Sequence, residues 1–160
     1  MDFGCCVNLL ATPDDPVGLQ WLERVVAVGF DYVELPVAEM MLLDDTAFAD
    51  LVHRLKALEL RCMSCNNFFP QHLRLTGSDR REHQIRDYLA DALPRIGALG
   101  AQTIVFGSAG AKNVPAGFPM TVAWEQVAED LQVISDAIAA TLPNVRIAIE
   151  PVCKRVEYIA

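Results

Sequence analysis

Short apolar runs and longer amphipathic stretches alternate along the whole chain of 160 residues. Residues 3–9 read as a first strand. Asp15 then offers an N-cap, with Pro16 at the first helical position. Leu19, Leu22, Val25 and Val26 form the apolar stripe of that helix, and Gly29 ends it. Residues 32–36 are a second strand. Asp45 caps a second helix whose stripe is Phe48, Leu51, Val52, Leu55 and Leu58. Residues 61–66 are a third strand. Ser78 or Asp79 opens a long third helix with Ile85, Leu89, Leu93 and Ile96 on one face, which Pro94 should kink or divide. Gly100 closes it before a fourth strand at 103–106. Thr121 caps a fourth helix with Trp124, Val127, Leu131, Ile134 and Ile138 facing inward, and 145–149 is a fifth strand.

Strict alternation of strand and helix predicts an α/β fold of parallel strands joined by right-handed crossovers, in a single domain over 1–160. Two architectures share this pattern. One is a five-stranded doubly wound sheet, flavodoxin-like, as a binding or signalling module would have. The other is a partial TIM barrel, the first part of a (β/α)₈ repeat that normally runs to roughly 250 residues. Periodicity does not choose between them.

Composition narrows the partners. The apolar fraction is 52% and the mean hydropathy +0.25, as expected of strands buried on both faces. No apolar run reaches the length of a membrane span, and the start lacks the basic residues of a signal peptide, so a cytoplasmic location without membrane attachment is expected. Twenty-one acids against 13 bases give a net charge of −8, which disfavours binding to nucleic acid and favours a small-molecule partner. Among five cysteines, Cys62 and Cys65 form a C-x-x-C inside the third strand. With no second such pair, they read as core thiols and not as a redox or zinc motif.

Chemistry-bearing residues gather at the C-terminal ends of the strands. The second strand ends in Glu34, within "DYVELPVAEM". The third runs into Asn66, Asn67 and "FFPQHLRLTG", and the fourth into "FGSAGAKNVPAGFP". The fifth delivers Glu150 just before Pro151. Such a distribution marks the catalytic face of a parallel α/β protein. His72 follows the third strand as a candidate substrate contact. His53 and His83 fall on outer helices as solvated residues. Lys112 lies in a glycine-rich segment that reads as a mobile rim loop able to meet an anionic sugar.

Taken together, "GFDYVELPV", "NNFFPQHLRLTG", "TIVFGSAGAKNVPAGFP" and "IAIEPV" resemble the sugar isomerase/epimerase superfamily with a xylose-isomerase-like barrel. The resemblance runs along essentially the whole chain and implies a TIM barrel of which this chain is the N-terminal portion. It further implies a divalent metal (Mn²⁺, Mg²⁺ or Co²⁺) in the complete fold, a keto sugar or related carbohydrate as substrate, and proton transfer between neighbouring carbons. Glu150 is implied as both metal ligand and proton-exchanging carboxylate. Glu157 is implied as a substrate contact, although it stands seven residues after Glu150 where the family often has six; Glu34 reads either as a substrate contact or as the partner of a neighbouring base such as Arg61. The remaining metal ligands belong to later strands in that family, so the 160-residue chain alone is expected to lack the metal and to be inactive.

The competing readings are a non-catalytic half-barrel, the flavodoxin-like module, and a trinuclear zinc DNA-repair endonuclease, which shares the barrel. The last has histidines where this chain has Asn66–Asn67 and Gly107–Ser108. An open half-barrel should also turn Val, Ile and Phe toward an unclosed interior. That predicts association into a homo-oligomer.

Overall fold

In a computed structural model, which describes residues 1–150, five strands lie side by side in the order of the sequence. They are β1 (Gly4–Cys6), β2 (Tyr32–Pro36), β3 (Arg61–Asn66), β4 (Thr103–Phe106) and β5 (Arg146–Ile149), and each pairs in parallel with the next. A doubly wound sheet reverses its strand order at a switch point. This sheet never does. It is an open α/β sheet with the winding of a partial TIM barrel.

The helices are α1 (Leu22–Ala27), α2 (Val37–Met40), α3 (Asp45–Ala57), α4 (Glu82–Leu99), α5 (Ala109–Lys112) and α6 (Met120–Thr141). No helix among the described residues is long and apolar enough to cross a membrane. Several starts differ from expectation. Asp15 does cap, accepting bonds from the backbone N–H groups of Gly18, Leu19 and Gln20 at 2.8–2.9 Å. Helical structure begins only at Leu19, because Gly18 turns through φ 85° and a Cβ there would lie 2.5 Å from the carbonyl oxygen of Val7. The cap of α3 is Asp44, whose carboxylate accepts from Ala47 N–H at 2.8 Å, and not Asp45. Helix α4 runs unbroken through Pro94. Pro94 and Ala90, whose carbonyl loses its intrahelical donor, are both exposed, so solvent can serve that oxygen. Trp124 is 50% exposed and Ala123 is buried in its place, while Val127, Ile134 and Ile138 face inward as expected.

Val33, Leu35, Cys62, Cys65, Ile104 and Phe106 face the helices, in one core with Leu51, Leu55, Ile85, Leu89, Leu93, Ile96, Ile134 and Ile138. Each such side chain contributes roughly 1.5–3 kcal/mol by leaving water. Phe68, Phe69 and Phe106 pack mutually, with ring centroids 4.5–6.4 Å apart. The opposite face of the sheet carries Tyr32, Glu34, Ser64, Thr103 and Val105, all half-buried. Among the described residues the inner face is therefore less apolar than expected: Val, Ile and Phe mostly alternate toward the helices, and Val105 and Met63 lie inside among polar or small side chains.

One irregularity in β3 shapes both faces. Val33 pairs with Cys62, but Glu34 pairs with Ser64, so Met63 is an extra residue in the strand. In a regular strand, residues three apart point to opposite faces. The bulge lets Cys62 and Cys65 both enter the core, where their sulfurs lie 4.0 Å apart as buried free thiols. It also brings Ser64 and Asn66 onto the same face as Glu34.

The segment after β4 is braced where a mobile loop was expected. Arg74 donates to the carbonyl of Gly110 at 2.9 Å and to that of Asn113, and the Thr76 hydroxyl also donates to Asn113 O, at 2.8 Å. Nearby, Arg80 reaches the fully buried Asp130 at 2.7 Å, tying the stretch before α4 to α6. Burial raises the Asp130 carboxyl, against the pull of Arg80.

Candidate functional site

At the C-terminal tips of β1, β2 and β3 the polar residues form one network. Ser64 Oγ donates to Glu34 Oε2 at 2.7 Å, and Asn66 Nδ2 donates to Oε1 at 2.9 Å. The same amide nitrogen lies 3.0 Å from Cys6 Sγ, and the Cys6 thiol donates to Asn8 Oδ1 at 2.8 Å. Register explains the gathering: Cys6 lies opposite Glu34, Glu34 opposite Ser64, and Pro36 opposite Asn66. Burial, followed by hydrogen bonding to Glu34 and the charge of that carboxylate, pushes the Cys6 thiol up to about 11, so it stays protonated as a donor. Asn66 Oδ1 is buried with no hydrogen-bond partner among the described residues. Glu34 does not pair with Arg61, which bonds Asp2 at 2.8 Å instead.

Two strands away, β5 delivers Glu150 to the same end of the sheet. Its backbone N–H donates to Phe106 O at 3.3 Å, and the residue is exposed. Lys112 folds over the Phe106 ring with Nζ 4.9 Å from the centroid, and only 1% of the residue is exposed. Burial lowers its ammonium, and the charge of Glu150 acts in the opposite sense. Lys112 is thus an internal neighbour of Glu150 and not the rim residue expected. No three His, Cys, Asp or Glu side chains converge to hold a metal ion among the described residues. Glu150 offers one oxygen donor set beside a cation, so the described residues do not by themselves fit a divalent metal. Glu157 lies outside the described residues.

His72 does not join Glu34. It is exposed and lines a cavity of about 610 Å³ on another side of the β3 tip, with Glu39, Asn67, Phe69 and Tyr88. His53 and His83 are exposed on α3 and α4. Glu39 did not stand out in the sequence, because it sits in a single helical turn without apolar periodicity. Asn67, already noted at the end of the third strand, takes the left-handed φ of 44° that asparagine tolerates.

The family described as xylose isomerase-like TIM barrel matches residues 22–158. No curated protein matches this chain. Among solved structures, D-psicose 3-epimerase in the presence of D-fructose superposes with a TM-score of 0.78 at 16% identity, covering 100% of this chain and 55% of the other. D-allulose 3-epimerase from Methylomonas sp., in complex with D-allulose, gives 0.75 at 17% identity, covering 96% and 52%. AP endonuclease, family 2, from Brucella melitensis gives 0.73 at 20% identity, covering 98% and 58%. The chain spans about half the length of these structures, and at such identities the likeness is one of fold.

Proposed function

The chain belongs to the xylose isomerase-like TIM barrel family, and from that premise we propose that it contributes to isomerisation or epimerisation of a small keto sugar. The observation that carries the reading is the clustering of Glu34, Ser64 and Asn66, with Glu150 on the same sheet end, at the strand tips where such barrels do their chemistry. Glu34 presents a carboxylate fixed by two donors and able to accept sugar hydroxyls. Glu150 is the carboxylate that would take a proton from the carbon next to the carbonyl. The described residues offer the family's divalent metal Glu150 alone. Sugar binding without turnover is therefore the expectation for residues 1–160 by themselves.

NMR titration of this chain with a ketohexose tests the site. Shifts at Ser64 and at the side-chain amide of Asn66, weakened by Glu34→Ala, support it; unmoved signals at saturating sugar would remove it. In any form of the protein that turns a ketose over, Glu150→Gln should slow the reaction by about 10²–10⁴-fold, the usual worth of a general acid–base group. An unchanged rate would strip Glu150 of its role.

A further inference from the structure

The cavity beside the β3 tip shares no lining residue with the Glu34 cluster, and its chemistry differs. Its polar centre is Glu39, half-buried on α2. Asn67 Nδ2 donates to both carboxylate oxygens, at 2.7 and 2.9 Å. The backbone braces the same pair, because Ala38 N–H donates to Asn67 O at 3.0 Å. A neutral amide therefore positions Glu39 without cancelling its charge, and each oxygen keeps a lone pair free.

The walls are apolar and fixed. Phe69 is 1% exposed, and its ring lies 5.3 Å from that of Tyr88 at 37°. The Tyr88 hydroxyl is committed to Phe68 O at 2.8 Å, and Phe69 N–H to Ser108 Oγ at 2.9 Å. Met41 and Leu42 face them, with His72 exposed among the lining residues. The Glu39 charge is felt within this wall: burial raises the Tyr88 phenol, and Glu39 raises it further. Among the described residues, no lysine or arginine lines the cavity.

A carboxylate with no cationic partner, set among aromatic rings and a thioether, calls for a ligand that brings the positive charge. We propose that this cavity binds a small organic cation, an ammonium or guanidinium group on an apolar or aromatic body, with Glu39 as its counter-charge. The cavity shares no residue with the Glu34 cluster, so this site is distinct from the proposed sugar site. The volume lies within the roughly 300–1,000 Å³ usual for small-ligand cavities. The inference does not rest on the proposed sugar chemistry.

The test is an NMR titration of the 160-residue chain with benzylammonium and, in parallel, with benzyl alcohol as its uncharged counterpart. Benzylammonium should shift Ala38, Asn67 and Gln71, with half-saturation on the order of 1 mM, and benzyl alcohol should bind roughly tenfold more weakly. Glu39→Gln, which keeps the shape and removes the charge, should erase that difference. Leu42→Ala, on an exposed wall residue, should weaken both probes alike. Equal affinity of the two probes for the unaltered chain would overturn the inference without recourse to any variant. So would a Glu39→Gln protein, folded by circular dichroism, that still prefers the cation. Shifts confined to Ser64 and Asn66 would also overturn it, and would leave the sugar reading standing.

Discussion

Asn66 and Asn67 are consecutive residues that each hold a glutamate through a side-chain amide, yet they build different kinds of site. Asn66 is extended, opposite Pro36 in the sheet, and its Glu34 is closed in by Ser64, with Cys6 and Asn8 beside the amide. Asn67 turns left-handed at φ 44°, and its Glu39 receives that one amide nitrogen and borders an open cavity. The pairing chemistry is the same. What differs is the backbone conformation: Glu34 sits in a cross-strand network that borders a cavity of about 460 Å³ on the inner face of the sheet, whereas Glu39, in a separate cavity, is held by the Asn67 amide.

Other carboxylates set the scale for that contrast. Asp130, enclosed with Arg80, marks the upper end. Asp130→Ala should cost roughly 3–5 kcal/mol in urea denaturation, because it strands a buried guanidinium. A loss near zero would mean Arg80 readily turns to Glu129, which it also touches at 3.1 Å. Next comes a matched pair of substitutions. Asn66→Asp places a second carboxylate against Glu34 within the network and should cost about 1–3 kcal/mol. Asn67→Asp does the same to Glu39 beside the cavity, where solvent screens the repulsion, and should cost less than about 1 kcal/mol. Equal losses would erase the distinction between the two regions.

The lower end is Glu23, a surface carboxylate paired with Arg54 and 57% exposed. Hydrogen bonding to Arg54 holds its carboxyl below the ordinary value of 4.5. Because the folded value is the lower one, the pair stabilises the protein above pH 4.5 and loses that contribution as pH falls through the folded value. Glu23→Gln should therefore cost under about 1 kcal/mol at pH 7, after solvent screening, and nothing measurable well below the folded value. Denaturation curves at pH 7 and at acid pH would show it. A cost that persisted in acid would point to packing and not to charge.

Much of this fold was legible because its strands are short apolar runs with hard stops: the bounds of β2, β3 and β4 agree with the periodicity. Glu34 and Glu150 stood out as acids toward the C-terminal ends of strands, although Glu34 falls at the centre of β2 and not at its end. What escaped depends on partners distant in sequence. Strand β1 stops at Cys6 because the chain coils into a short 3₁₀ turn at Val7–Leu10. The turn α2 is braced by the carbonyl of Asn67, 29 residues beyond Ala38. Ser78 and Asp79 offered capping groups, yet Arg80 is drawn to Asp130 and α4 begins after it. The Lys112 segment looked mobile from its glycines; Arg74, far upstream, holds it still.

The unbroken order of the sheet also bears on how the protein is made. Every strand pairs with the one synthesised just before it. As the chain leaves the ribosome, each new strand finds its template already present. Loop-closure entropy is then met in instalments of one crossover at a time. Growth of this kind extends the sheet without rewiring it, so an added strand and helix could dock at the β5 side while β1 to β4 kept their pairings.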